Sequence, residues 1–136
     1  KYATRCGGAQ NHRLRLDDGI LIKDNHIAIV GSIEAAVQAA LANRTVLQVQ
    51  VEVDSLDQIE PALAAGAERL LLDNMDPPTL RKAVALVAGR VPLEASGGVT
   101  LENIRAIAET GVNYISVGRI TQSAPAVDIG LDFLAA

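Results

Sequence analysis

Large aromatic side chains are nearly absent from this chain: its 136 residues include no Trp, one Phe and two Tyr, although 49% are apolar. Any core must therefore be assembled from Ala, Val, Leu and Ile, and that aliphatic content argues against a disordered chain. Cysteine is as scarce. A single thiol, Cys6, cannot form an internal disulfide, so the fold does not depend on oxidation and a cytoplasmic setting is expected. No zinc-ligand spacing is readable. Cys6 lies beside Gly7 and Gly8 and would be nucleophilic only with a partner that lowers its pKa, so a structural thiol is expected. Long apolar runs are missing too: none approaches the roughly 18–20 residues that span a bilayer, and no signal-peptide layout opens the chain, so a soluble protein is expected. Positive charge is in deficit, with 12 Lys and Arg against 16 Asp and Glu, which argues against nucleic-acid or anionic-membrane partners. Without aromatic stacking residues the single-stranded nucleic-acid modes fall away as well.

What is present is unevenly placed. Lys1, Arg5, Arg13 and Arg15 stand in the first sixteen residues with no acid among them, whereas the remainder carries twice as many acids as bases. A local basic segment suits a small anionic ligand. The length fits one ordinary domain. The chain opens at Lys1, without Met, inside a region dense with polar groups, which reads as a cut edge.

From about residue 20 onward, short aliphatic runs alternate with segments of helical periodicity. The spacing predicts strands at Ile20 to Lys23, Val46 to Val53, Arg69 to Asp73, Pro92 to Ala95 and Asn113 to Val117, with four helices between them. Ile33, Ala36, Val37, Ala40 and Leu41 repeat with helical spacing, as do Leu80, Ala83, Val84 and Val87, and more weakly Leu56, Ile59 and Leu63. Ser55 with Gln58 predicts a capping box, and Asp76 before Pro77 an N-cap followed by a first-turn proline. Gly66, Gly89 and Gly111 each stand where a left-handed residue would close a helix. Such alternation means α/β architecture with parallel β/α units joined by right-handed crossovers. Two forms compete: an open doubly wound sheet, and a TIM-like (β/α) barrel, which needs about 250 residues and eight strands to close.

The polar residues decide between them. Lys23, Glu52, Asp73, Ser96 and Gly118 each end a strand or follow one. Barrels draw their sites from several strand ends, whereas open sheets use only the crevice at a switch point, so an incomplete TIM-like barrel is favoured. Ser96, Gly97 and Gly98 lead toward a helix starting near Leu101 and, with the Ser116 to Gly118 loop, suit a phosphate. Ordinary turn glycines are the plain alternative. On the second strand Gln48, Gln50 and Glu52 share one face, opposite Leu47, Val49, Val51 and Val53. Glu52 and Asp73 could hold Mg²⁺, ribose hydroxyls or a developing positive charge, or could simply be solvated or paired to neighbouring Lys and Arg. Arg5, His12, Arg13, Arg15 and Lys23 suit a ligand with more than one carboxylate, since Arg forks bind carboxylates bidentately, with a solvated basic stretch as the plain alternative.

The runs KYATRCGGAQNHRLRLDDGILIKDNHI, VQVEVDS, LLLDNM, LEASGGV and TGVNYISVGRIT, in this order, closely resemble the quinolinate phosphoribosyltransferase family, the carboxylating nicotinate-nucleotide pyrophosphorylases, over nearly the whole chain. The resemblance implies a pentosyltransferase that converts quinolinate and phosphoribosyl pyrophosphate into nicotinate mononucleotide, pyrophosphate and CO₂, with Mg²⁺, in de novo NAD synthesis. It implies that His12, Arg13 and Lys23 contact the quinolinate carboxylates, that Glu52 and Asp73 lie at the ribose and metal, and that Ser96, Gly97 and Gly118 cradle the sugar phosphate. Lys23, Glu52 and Asp73 would be the catalytic set. Residues 1–136 would then be the C-terminal portion of the barrel domain, with an N-terminal domain and an Arg- and Lys-rich first barrel segment outside this sequence, and the whole enzyme would be a homodimer or higher homo-oligomer. Ala9, Arg119 and Gln122 depart from the pattern, which has Gly, a small residue and commonly His there. Two other readings stay open: a phosphate-ligand binding module, and a paralogous phosphoribosyltransferase acting on another ring.

Overall fold

The computed structural model describes residues 1–43 and 46–133. Five parallel strands, β1 (Ile20–Ile22), β2 (Val49–Val53), β3 (Arg69–Asp73), β4 (Leu93–Ser96) and β5 (Tyr114–Ile115), form one sheet in sequential order. The order 1-2-3-4-5 has no switch point, so the sheet is a run of β/α units from an unclosed barrel and not a doubly wound sheet. β1 and β5 are its edges. The helices are α1 (Tyr2–Cys6), α2 (Asp24–Val30), α3 (Ile33–Asn43), α4 (Ile59–Ala64), α5 (Pro77–Val87), α6 (Ile104–Ala108) and α7 (Arg119–Gln122). No single helix among the described residues is long and apolar enough to cross a membrane.

The core lies between the outer face of the sheet and helices α3 to α6, and it is aliphatic, as the composition requires. Val49, Val51, Val53, Leu70, Leu72 and Ala95 meet Ala36 and Val37 of α3, Ile59 and Ala62 of α4, Leu80, Ala83 and Val87 of α5, and Ile107 of α6. Burying one Val or Leu side chain contributes about 1.5–3 kcal/mol. Leu71 is buried but falls outside this cluster, because its side chain leaves β3 on the opposite face from Leu70 and Leu72.

Local signals explain most boundaries. Asp76 accepts a hydrogen bond from Thr79 N–H at 2.9 Å, with Pro77 in the first turn of α5. Gln58 Oε1 accepts from the Asp54 and Ser55 amides, completing a capping box around a short 3₁₀ turn, Leu56–Gln58, ahead of α4. Gly66, Gly89 and Gly111 all have positive φ, but α5 turns left-handed one residue early, at Ala88 (φ 51°, ψ 38°).

Other boundaries move. β2 begins at Val49 and not at Val46, because its neighbours start at Ile20 and Arg69; ahead of it the Gln48 carbonyl still accepts from Ile20 N–H, and Val46 is exposed. The β5 ladder shrinks to Tyr114–Ile115, although Asn113 N–H and Ser116 N–H still donate to Leu93 and Ala95 carbonyls. The fourth expected helix starts at Ile104, three residues late. Asn103 accepts from Thr100 N–H and donates to the Gly98 carbonyl, holding residues 101–103 in turns. Helices α1, α2 and α7 were not anticipated. In α2 the side chain of His26 accepts from Lys23 N–H at 3.0 Å, so a residue that looks chemical serves as a cap. Cys6 is exposed on α1, which buries nothing, so the expected packed structural thiol is not found.

Ala88 supplies a test. The left-handed conformation costs an L-residue about 1–2 kcal/mol, and glycine's larger unfolded freedom returns about 0.5–1 kcal/mol of that. Ala88→Gly should therefore raise stability by roughly 0.5–1 kcal/mol, read from the urea midpoint; a lower midpoint would contradict the assignment of strain.

Candidate active site

The inner face of the sheet is polar, and its residues follow from strand periodicity. Register places Gln50 beside Arg69, Glu52 beside Leu71, Leu71 beside Glu94, and Asp73 beside Ser96. Each strand thus sends alternate side chains inward and delivers the last of them at its C-terminal end.

At that end Lys23, Glu52, Asp54 and Asp73 gather. The Lys23 ammonium lies 2.7 Å from Glu52 Oε2, and Glu52 is itself buried while Lys23 is half-exposed. The hydrogen bond to Glu52 raises the Lys23 pKa above 10.5, with the Glu52, Asp73 and Asp24 charges adding to it against a smaller desolvation effect. Carboxylate oxygens of Glu52, Asp54 and Asp73 lie within 4.8 Å of one another and could hold a metal ion. Asp54 was not anticipated, although it follows Glu52 by two residues and so shares its face.

Asp73 is held from its flank. Asn74 Nδ2 donates to Asp73 Oδ2 at 2.7 Å, and Asn74 N–H donates to the Ser96 carbonyl at 2.9 Å. Asn74 adopts φ 53° to do so, a conformation that Asn tolerates better than most residues. Its side chain abuts the next loop so closely that a Cβ at Gly97 (φ 89°) would collide with Asn74 Oδ1. Gly97 therefore meets two requirements, positive φ and close approach, that only glycine satisfies. Ser96, Gly97, Gly98 and Gly118 line one open cleft of about 1160 Å³ together with His12 and Glu94. The five-residue α6 begins well past Gly98, so beside Gly97 and Gly98 a phosphate would rest on loop amides, while Gly118 caps the four-residue α7.

The residue most plainly missed from sequence is Glu94. It is 2% exposed in the middle of β4. Gln50 Nε2 donates to its Oε2 at 2.8 Å, Ser116 Oγ donates to Oε1, and His12 Nε2 lies 3.3 Å from Oε1. The available signal was an acid two residues before Ser96, on the same face. His12 also accepts from Arg13 N–H through Nδ1 at 2.8 Å. Arg13 stands apart from the strand-end carboxylates: its guanidinium donates to the Gly19 carbonyl at 3.3 Å and faces a smaller hollow of about 360 Å³ beside Ile20, Gln48 and Gln50. Of the other early bases, Lys1 donates to the Arg13 carbonyl and Arg15 pairs with Asp17 in solvent. At the far end of the inner face the Arg69 guanidinium stacks 4.1 Å from the Tyr114 ring centre.

Fold and site together define a segment of a β/α barrel whose strand ends carry carboxylates, a lysine and a glycine loop. Residues 1–132 match the family model described as quinolinate phosphoribosyl transferase, C-terminal domain, and the chain belongs to that family. It is 49% identical over 137 residues to the nicotinate-nucleotide pyrophosphorylase [carboxylating] of Mycobacterium leprae, covering 97% of this chain and 48% of the relative. With the rat protein of the same name the identity is 41%, covering 99% of this chain and 46% of the relative. The crystal structure of nicotinate-nucleotide pyrophosphorylase from Ehrlichia chaffeensis superposes with a TM-score of 0.89 at 46% identity, covering 97% of this chain and 48% of that one. The chain spans about half the length of the relatives it matches.

The Lys23–Glu52 pair makes a pH prediction. A pKa raised above 10.5 in the folded state means that the pair's stabilisation is whole below 10.5 and is lost as pH rises through the folded value. Glu52→Gln should bring the Lys23 titration, followed by NMR of the side-chain amine, back down toward 10.5; an unchanged midpoint would show that Glu52 is not its cause.

Proposed function

We propose that the protein carries out phosphoribosyl transfer from phosphoribosyl pyrophosphate to quinolinate with decarboxylation, giving nicotinate mononucleotide, pyrophosphate and CO₂ in NAD biosynthesis. The observation that supports this best is the convergence of Lys23, Glu52, Asp54 and Asp73 at adjacent strand ends, one strand from the Ser96–Gly97–Gly98 loop. In this reading residues 1–136 supply the C-terminal portion of the barrel domain. The remaining half of the relatives' length would contribute an N-terminal domain and further bases, and the whole enzyme would be a cytoplasmic homodimer.

The roles follow from charge and place. Ser96, Gly97 and Gly118 receive the 5-phosphate in the cleft they line, where Gly97 at positive φ turns the loop. Glu52 and Asp73 face the ribose, where departure of pyrophosphate leaves oxocarbenium-like charge at the anomeric carbon, and their fixed carboxylates stabilise that charge without reorganising. Lys23 neutralises part of the ground-state repulsion between them and stands close enough to meet a quinolinate carboxylate. His12 and Lys23 orient the ring so that its nitrogen attacks the anomeric carbon, and Arg13, whose guanidinium here rests on the Gly19 carbonyl, would have to turn toward them to share that role. The adjacent carboxylate then leaves as CO₂, its electron pair drawn toward the cationic pyridinium. An all-oxygen set of Glu52, Asp54 and Asp73 fits a hard cation such as Mg²⁺, which when bound would neutralise the leaving pyrophosphate.

Two measurements test the proposal. In the protein's full native form, Glu52→Ala and Asp73→Ala should each lower kcat by about 10²–10³-fold while calorimetry still detects quinolinate binding; wild-type turnover in both would remove the assignment. The 136-residue chain alone should bind substrates without appreciable turnover, and robust conversion of quinolinate by it would contradict the division of the site proposed here.

A further inference from the structure

The mechanism above leaves unused the most deeply buried ionisable group of the inner face. Burying a carboxylate costs several kcal/mol even when it is paired, and a well-packed apolar residue there often does as well or better for stability. Glu94 is nonetheless 2% exposed, at the centre of the sheet, with donors drawn from three separated parts of the chain: Gln50 on β2, Ser116 after β5 and His12 in the N-terminal segment. Two of these are neutral groups already fixed on the sheet. The third belongs to a segment, residues 7–19, that has no regular secondary structure and lies against the inner face.

The ring of His12 is constrained from both ends. Its Nδ1 accepts the Arg13 amide at 2.8 Å, so Nδ1 carries no proton and the neutral ring must hold its proton on Nε2. That nitrogen faces Glu94 Oε1 at 3.3 Å. The same amide hydrogen bond ties the Arg13 backbone to the ring, and the Arg13 carbonyl in turn holds Lys1 Nζ at 2.8 Å. We propose that Glu94 is a positioning residue: by facing His12 Nε2 from the barrel interior it selects one ring tautomer and seats the basic segment against the inner face that a ligand meets. Gln50 and Ser116 occupy the rest of the carboxylate and so aim it.

The kinetic arm of the test rests on the quinolinate reading, whereas the spectroscopic arm does not. Glu94→Gln is near-isosteric but sets one amide against that of Gln50, so a second variant exchanges the pair, Gln50→Glu with Glu94→Gln. The exchange keeps one buried carboxylate and the link between β2 and β4 but takes the charge away from His12. In the protein's full native form, the exchanged variant should melt close to wild type, raise KM for quinolinate about tenfold or more, and leave KM for phosphoribosyl pyrophosphate within about twofold. ¹⁵N spectra of the imidazoles, with His12 identified by the signals lost in His12→Gln, should show separate protonated and unprotonated nitrogens in wild type and a shift toward tautomer averaging in the exchanged variant. The His26 ring, capped on Lys23 N–H, should not change. Restoration of the quinolinate KM by the exchange, an equal rise in both KM values, or an unaltered His12 spectrum would each overturn the proposal. Wild-type protein that fails to convert quinolinate would refute the functional reading and leave the ring spectrum to decide this one.

Discussion

In a parallel β/α sheet both faces are covered, and strand periodicity forces each strand to supply two kinds of side chain in strict alternation. Everything else in this structure depends on how that constraint is met. The outer face is aliphatic and packs on four helices. The inner face carries Gln50, Glu52 and Glu94, all buried, and polar groups in that position must find partners inside the protein. They do: among the described residues no buried side-chain nitrogen or oxygen lacks a hydrogen-bond partner. The Gln50–Glu94 bond reaches over β3 from β2 to β4, and only Leu71 interrupts the polar row between them.

The same alternation aims the strand ends. Because Glu52 and Asp54 are two residues apart, both follow the inner face outward to meet Asp73 of the next strand. Neighbouring loops are then coupled by contact. Asn74 holds Asp73 with its side-chain amide, takes the Ser96 carbonyl with its backbone, and presses on Gly97. A carboxylate and a glycine loop are therefore placed by one residue in a left-handed conformation. Backbone strain of about 1–3 kcal/mol at such a position persists only where the surroundings over-determine it, as the two strands do here.

The N-terminal segment follows a different logic. It has no ladder to hold it and is fixed by single polar contacts: Leu14 N–H to Asp18, the Arg13 guanidinium to the Gly19 carbonyl, and His12 against Glu94. Several bases that look ready for an anion in the sequence are thereby engaged within the segment, and its net charge overstates what a ligand meets. Charge density along a chain and charge presented at a site are separate quantities, and folding sets the second.

Hydrophobic periodicity determined the strands, the order of the β/α units and the strand-end positions of Lys23, Glu52, Asp73 and Ser96, because these depend on near neighbours along the chain. Caps at Ser55 and Asp76 were legible for the same reason, and the ordered family motifs carried the assignment further than spacing could. Tertiary structure decided what spacing leaves open. The strand expected from Val46 starts only at Val49, level with the start of β1 and β3, Asn103 delayed α6, and His26 became a cap because the backbone it meets lies within one turn. Glu94 was hidden because an acid in mid-strand has no meaning until Gln50, Ser116 and His12, up to 82 positions away in the case of His12, arrive around it. Local chemistry fixes elements; only the closing of one strand on another determines which polar groups share a low-dielectric interior, and that sharing makes the site.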